Sequence, residues 1–200
     1  MDNTKQIDKE AIEKAVREII IALGENPERE GLIETPKRVA KAYVELFDGI
    51  NYTNEELAKM YDKGFTDCDL EQNQEGFGEF VLVQDITTYS FCEHHILPMT
   101  LKVHVAYIPK DKVIGLSKIP RLVKHVCKRL QLQERIGKDI YDVMNLITET
   151  EDICVIIEGT HGCMQMRGVQ DVNSVTKTMF CGGRFKTDAQ LRKELMDCVH

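Results

Sequence analysis

The sequence predicts an α+β chain with an antiparallel sheet, and two observations lead to this fold class. Apolar residues recur at helical spacing in the first third of the chain, for example at Ile12, Ile19 and Leu23. From about Gly78 the pattern changes to short runs with the two-residue alternation of a half-buried strand, as in Leu101–Tyr107. Helices are followed by two strands, two helices, two strands and a last helix, which is an α+β order.

The N-terminal part is predicted to hold two helices. The first ends at Gly24. The second begins at Thr35-Pro36, an N-cap followed by proline in the first helical position, and ends at Gly49. Residues 62–77 are polar, acidic and glycine-bearing, which indicates a loop. We therefore predict an N-terminal helical region over residues 1–75 and a second domain over residues 76–200.

The second domain is predicted to contain all of the strands. The helices on its sheet are expected to lie on one face. Its elements follow in this order: strands at 80–83 and 101–107, a turn at 109–111, helices beginning at 117 and covering 136–147, strands at 153–158 and 169–180, a break at 182–183, and a last helix capped by Asp188.

Composition excludes several classes of protein. A net charge of -7 is the wrong sign for a general nucleic-acid binder. No apolar run approaches the ~18 residues of a membrane span, and the polar N-terminus lacks the apolar core of a signal peptide. The seven cysteines show no spacing typical of a disulfide framework. We expect a cytoplasmic protein in which most cysteines, Cys127 and Cys154 above all, are small buried hydrophobic residues.

The densest group of metal-binding and proton-transferring side chains is the run from Cys92 to His95, which reads Cys-Glu-His-His. Cys92 and His95 have a spacing that lets a turn bring both onto one ion, and Cys163 offers a third soft ligand. Two cysteines and one histidine are zinc-type ligands, and three ligands leave a fourth position for water, as in catalytic sites. His94 or His161 could instead fill that position and make the site structural.

The second candidate site is basic. A helix start offers free N–H groups and a positive dipole end to an anion. In a chain of charge -7, basic side chains near such a start can build a phosphate site, although a solvated helix face is the commoner role of such residues. The candidates are Lys118 and Arg121, just inside the helix that begins at Ser117, Arg167, and the pair Arg38 and Lys41 on the second helix.

Several runs resemble the GTP cyclohydrolase I family. The resemblance covers about residues 30–200 and is most specific over 86–186. It implies the tunnelling fold, in which subunit sheets join into a barrel, and a homodecamer of two stacked pentamers with active sites at subunit junctions. The runs are Ser90–His95, Val105–Lys110, Val113–Ile119, Gln131–Arg135, His161–Met164 and Met166–Gly168.

The resemblance also implies the roles of individual residues. Cys92, His95 and Cys163 match the ligands of one zinc ion per subunit. Glu134, which by default would be a surface carboxylate, matches the group that binds the guanine edge, and Gln133 lies beside it. The catalytic side chains implied are His94 and His161, which move protons, and Ser117 at the substrate site. The triphosphate contacts implied are Lys118, Arg121 and Arg167, with Arg38 and Lys41 supplied by a neighbouring subunit.

The implied reaction is zinc-dependent hydrolysis of GTP to 7,8-dihydroneopterin triphosphate and formate, the first step of pterin synthesis. Zinc makes hydroxide available for attack on C8, and a histidine that protonates N7 makes C8 more electrophilic. Glu134 can accept hydrogen bonds from guanine N1–H and the 2-amino group, which adenine cannot offer as a pair. No nucleic acid or membrane partner is implied, and no motif identifies a regulatory protein.

Three other functions are compatible with parts of the pattern. An enzyme of the same fold that reduces a nitrile on a deazaguanine base would be expected to lack the two-cysteine, one-histidine set, so Cys163 beside His161 argues against it. A zinc nucleoside deaminase would carry an H-x-E and P-C-x-x-C signature, which is absent. A non-catalytic protein with a structural zinc would need neither His94 nor His161 free, nor Glu134 near the metal.

Overall fold

A computed structural model describes residues 7–65, 80–110 and 112–199 of the chain. The chain divides into two compact units, Met1–Asn51 and Tyr52–His200. The boundary predicted between residues 75 and 76 lies outside the described residues. Among the helices of the described residues, none is both long enough and apolar enough to cross a lipid bilayer.

The first unit holds helix α1 (Lys9–Ala22), helix α2 (Thr35–Leu46) and a short 3₁₀ turn (Asp48–Asn51). Helix α1 ends near Gly24, whose φ of 85° is in the left-handed region that favours glycine. The prediction that Thr35 caps α2 is wrong. Glu34 is the N-cap residue and already has helical dihedral angles. The hydrogen-bonded turn before it is continuous with α2, so the Thr35 hydroxyl donates to the Gly31 carbonyl.

The second unit is built on a five-stranded sheet with the strand order β5-β2-β3-β6-β7. All neighbouring strands are antiparallel except β5 and β2, which are parallel. Strands β1 and β4 form a separate antiparallel pair. The elements are α3 (Asn54–Tyr61), β1 (Gly64–Phe65), β2 (Val81–Cys92), β3 (Pro98–Tyr107), β4 (Val113–Ile114), α4 (Lys118–Cys127), β5 (Leu130–Gln131), α5 (Gln133–Thr148), β6 (Ile153–His161), α6 (Gly162–Gln165), β7 (Thr176–Cys181), α7 (Gly183–Thr187) and α8 (Ala189–Cys198).

The main core lies between one face of the sheet and helices α4 and α5. Val103 and Val105 of β3 are fully buried there against apolar residues of both helices. The opposite face is covered in part by the last two helices, because Phe185 and Leu195 pack against Ala106 and Cys154. The α+β class and the antiparallel sheet are confirmed. The prediction of helices on one face holds for α4 and α5, whereas α7 and α8 lie on the other face.

Helix α3 and strand β7 are among the elements that differ from the sequence prediction. Helix α3 was not predicted, although its capping box is visible in the sequence: the Thr53 hydroxyl accepts from Glu56 N–H at 3.2 Å, and the Glu56 carboxylate accepts from Thr53 N–H at 2.8 Å. The strand predicted over 169–180 begins only at Thr176. The residues before it form a turn in which the Asp171 carboxylate accepts the N–H groups of Asn173 and Ser174.

The expectation that Cys154 is a free buried thiol is also wrong. Cys154 is fully buried, but it forms a disulfide with Cys181. The two residues are direct partners in the register of β6 and β7. The sequence separation of 27 residues gave no hint of this pairing, because it depends on the strand register. Cys127 is free and buried, as predicted.

Candidate metal centre and active site

One end of the sheet brings together segments that are far apart in sequence. Strand β2 ends at Cys92, and β3 begins a few residues later. Strand β6 runs antiparallel to β3, so its last residue, His161, lies opposite Met99. The short strand β5 is parallel to β2, so Gln131 lies opposite Cys92 and α5 begins at Gln133. The ends of β2, β5 and β6 therefore meet at one place.

The turn after β2 folds His95 back toward Cys92. The Cys92 carbonyl accepts hydrogen bonds from His95 N–H at 3.3 Å and Ile96 N–H at 2.8 Å, and Cys92 N–H donates to the Leu97 carbonyl. Ile96 has a φ of 54°, a left-handed conformation that closes the turn. Glu93 N–H donates to the Gln131 carbonyl, which attaches the turn to β5.

Three side chains at this end can hold one metal ion. The ligand atoms of Cys92, His95 and Cys163 all lie within 4.8 Å of one another, and the Cys92 Sγ is 3.7 Å from His95 Nδ1. Two thiols and one imidazole are the donor set that zinc takes in proteins. Burial, and next the neighbouring Cys92, raise the pKa of the Cys163 thiol. A cation between the two sulfur atoms would offset that effect by favouring the thiolate forms.

Arg167 contacts the same imidazole, since its Nη1 is 2.9 Å from His95 Nε2. A guanidinium can only donate, so His95 Nε2 must carry the lone pair in this contact. A neutral imidazole has one lone pair, which a metal ion at His95 would also need. Metal binding at either ring nitrogen therefore requires Arg167 to leave His95, which frees a cationic side chain at the edge of the metal centre.

A cavity of about 230 Å³ lies beside these ligands. Its walls include Cys92 and Cys163 together with His94, Glu134 and His161. Burial lowers the pKa of His161, and the nearby Glu134 carboxylate acts weakly in the opposite direction. Two of the predicted metal ligands, Cys92 and Cys163, thus line one cavity with the predicted proton-transferring histidines and the predicted base-binding carboxylate. A larger cavity of about 400 Å³ in the first unit is lined by none of the predicted site residues.

Gln133 also lines the cavity, yet its side chain is almost fully enclosed, with 2% of the residue exposed. The amide nitrogen donates toward the sheet, and the amide oxygen lies 2.8 Å from His161 Nε2. Sequence reasoning assigned Gln133 to substrate binding because it adjoins Glu134. The hydrogen bonds to β6 and β7 depend on tertiary structure and have no signature in the sequence.

The remaining predicted residues lie elsewhere in the described chain. Ser117 precedes α4, and Lys118 and Arg121 lie in its first turns. None of the three is among the described residues that line the cavity. Arg38 and Lys41 are exposed on α2 in the first unit. Glu93 and Arg135 were not predicted as site residues, although they form an ion pair beside the metal ligands.

Comparisons with known proteins identify the family to which the chain is similar. The GTP cyclohydrolase I family model matches residues 12–200. GTP cyclohydrolase 1 of Clostridium acetobutylicum is 52% identical over 191 residues, which cover 95% of this chain and 96% of that protein. The enzyme of Ruminiclostridium cellulolyticum is also 52% identical, covering 95% of this chain and 97% of its own. That of Clostridium beijerinckii is 47% identical over 193 residues, 96% of this chain and 97% of that one.

A solved structure, that of the archaeosine synthase QueF-Like in its apo form, aligns with a TM-score of 0.44 and 14% identity. The aligned region covers 54% of this chain and 98% of that one.

Proposed function

Because the chain belongs to the GTP cyclohydrolase I family, we propose that it hydrolyses GTP to 7,8-dihydroneopterin triphosphate and formate. One observation carries the proposal: the candidate metal ligands Cys92, His95 and Cys163 line or adjoin the same cavity as His94, His161 and Glu134. A structural metal site would not need two further histidines and a carboxylate at its edge. We place the activity in the cytoplasm, where GTP is available.

Cys92, His95 and Cys163 would hold one zinc ion per chain. When bound, the ion supplies a Lewis acid that activates water for hydrolysis. The chain's own contribution is to fix the three ligands: the tight turn at Cys92 sets the position of His95, and the end of β6 sets that of Cys163. The two thiolate ligands disfavour hard ions such as magnesium, which prefer oxygen ligands.

His161 and His94 are the groups to which we assign proton transfer. Imidazole suits this role because its ordinary pKa is close to neutrality. Burial lowers the pKa of His161, which favours the neutral imidazole, whose lone pair can take up a proton. A proton delivered to N7 of guanine withdraws electrons from the imidazole ring of the base and favours attack at C8.

Glu134 would select guanine. It lies in the first turn of α5 and lines the cavity. Its two oxygens can accept hydrogen bonds from guanine N1–H and the 2-amino group. Adenine does not offer this pair of donors, so the carboxylate oxygens of Glu134 would stay unpaired beside it. An unpaired buried polar group costs binding free energy, which disfavours adenine.

The triphosphate would be held by Lys118, Arg121 and Arg167, with Arg38 and Lys41 from a neighbour, and Ser117 would lie at the substrate site. Arg167 becomes available when His95 takes a metal ion. The residues at the start of α4 do not line the cavity of their own chain. In a decamer with sites at subunit junctions they would reach the cavity of an adjacent copy, so we propose that assembly completes the site.

Formate release tests this function directly. The purified, zinc-loaded chain should release one formate per GTP and form a fluorescent pterin after oxidation, without consuming a nicotinamide cofactor. A protein with a structural zinc would bind the metal and release no formate. A nitrile reductase of related fold would instead oxidise a nicotinamide cofactor in the presence of a deazaguanine nitrile.

A further inference from the structure

The orientation of the Gln133 amide is dictated by what surrounds it. Its Nε2 lies 3.1 Å from the Ile157 carbonyl and 3.0 Å from the Thr176 carbonyl, with the Thr178 hydroxyl at 3.1 Å. Carbonyl oxygens only accept hydrogen bonds, so the amide NH₂ must face them. Turning the amide over would set an oxygen against two buried carbonyl oxygens. The amide oxygen is therefore held on the side away from these three acceptors.

That oxygen determines which nitrogen of His161 carries the proton. The Gln133 Oε1 is 2.8 Å from His161 Nε2, and an amide oxygen can only accept, so Nε2 must donate. A neutral imidazole has a single N–H. With that hydrogen on Nε2, the lone pair of His161 is on Nδ1.

We infer that Gln133 is a positioning residue that fixes the Nε2–H tautomer and the ring plane of His161, so that Nδ1 is the nitrogen that exchanges a proton with the substrate. The inference rests on the proposed function, in which His161 transfers protons. It replaces the substrate contact that the sequence suggested for Gln133, because both ends of the amide are already occupied inside the protein.

Gly159 makes this arrangement possible. It lies on β6 opposite Leu101, two residues before His161. A Cβ at this position would overlap Gln133 Oε1 and would lie 2.8 Å from Leu101 Cδ2. Since the Gln133 oxygen is the end of a side chain with several rotatable bonds, an alanine at residue 159 would displace it from His161. Only glycine leaves room for the amide to reach the histidine.

The first test is kinetic. Gln133→Met keeps the length of the side chain but removes both polar ends, and Gly159→Ala displaces the amide without altering it. Both should lower kcat for GTP about 10- to 100-fold, since a histidine of uncertain tautomer is a poor proton-transfer group, with KM changed less than about threefold. Thr178→Val is the matched control: it removes one acceptor of Nε2, leaves the bond to His161, and should keep kcat within about twofold.

The second test measures the tautomer itself. Solid-state NMR of the zinc-loaded enzyme, labelled with ¹⁵N in histidine and sedimented at about pH 8, separates protonated from unprotonated ring nitrogens. A His161→Ala spectrum identifies the signals. We expect a protonated Nε2 and an unprotonated Nδ1 in the wild type, and loss of this single state in Gln133→Met and Gly159→Ala.

An Nδ1–H tautomer in the wild type would overturn the inference. So would an unchanged kcat and unchanged His161 signals in both variants. If Gln133→Met does not fold, Gly159→Ala and the wild-type spectrum decide. If the wild type releases no formate from GTP, the proposed function is wrong, whereas the spectra still decide whether Gln133 sets the tautomer.

Discussion

Glu93 and Arg135 form a two-pronged ion pair, with Arg135 Nη1 and Nη2 at 2.5 Å and 3.2 Å from the two carboxylate oxygens of Glu93. Glu93 follows Cys92 in the turn after β2, and Arg135 follows Glu134 in α5. The hydrogen bond from Arg135 is the main reason that the pKa of Glu93 is lowered. The pair therefore connects the turn that carries the candidate metal ligands Cys92 and His95 to the helix that carries Glu134.

We predict that Arg135→Ala lowers kcat/KM for GTP about tenfold, because a reacting centre displaced by a fraction of an ångström loses much of its alignment. The melting temperature should change little, since an exposed ion pair adds little stability. Lys138→Ala is the matched control. It breaks the Lys138–Asp142 pair on the same helix and should leave kcat/KM unchanged. The exchanged pair Glu93→Arg with Arg135→Glu should recover part of the loss, and an Arg135→Ala enzyme with wild-type kinetics would contradict the positioning role.

The metal assignment predicts a pattern of cysteine alkylation. In the zinc-loaded protein Cys92 and Cys163 should resist iodoacetamide, and a chelator should make both reactive, because a coordinated thiolate is shielded from the reagent. Two cysteines serve as internal controls. Burial raises the pKa of Cys127 to about 12, so it should stay unlabelled in both samples, whereas exposed Cys198 should be labelled in both. Peptide mass spectrometry reads all four sites, and equal labelling of Cys92 and Cys163 with and without zinc would exclude them as ligands.

Shared active sites predict complementation between inactive chains. Arg38→Ala and His94→Ala should each abolish most activity, the first by weakening triphosphate binding and the second by removing a proton-transferring group. If Arg38 serves the site of a neighbour, mixed oligomers contain some junctions with both residues intact, and activity should return in part. Arg121→Ala mixed with His94→Ala tests the start of α4 in the same way. Mass spectrometry must first show that the chains have exchanged. No recovery in exchanged oligomers would place each residue in its own chain's site.

Local sequence signals predicted much of the fold but not its cross-strand details. The C-terminal end of α1 follows from Gly24, and the start of α8 follows from Asp188. A left-handed glycine and an aspartate N-cap determine helix limits within a few residues of themselves. The disulfide between Cys154 and Cys181 and the contact between Gln133 and His161 depend on the register of β6 with its neighbours. Register is a property of the assembled sheet, so short-range patterns do not show it.

The metal centre was predictable for a different reason. The Cys92 and His95 spacing is a local feature of one turn, and Cys163 lies beside His161 in a second cluster of metal-binding side chains. The link from Glu93 to Arg135 was missed because a glutamate in a turn and an arginine in a helix are common solvated residues. Only the parallel pairing of β5 with β2 brings them together.

The sharpest test of base recognition concerns Glu134. If it binds the guanine edge, Glu134→Gln should place an amide N–H against a guanine donor, and an unpaired buried donor costs ~1–3 kcal/mol, so kcat/KM for GTP should fall roughly tenfold to a hundredfold. Inosine triphosphate lacks the 2-amino group, so it should be a poorer substrate of the wild type and should lose less in the variant. If Glu134 were only a counter-ion for nearby cationic side chains, both nucleotides would be affected equally, or triphosphate binding would tighten. Measuring kcat/KM for both nucleotides in both enzymes separates these cases through the ratio of the GTP value to the inosine triphosphate value. If Glu134→Gln leaves this ratio unchanged, Glu134 has no role in base recognition. If the ratio falls toward one, the carboxylate of Glu134 makes the contact with the 2-amino group.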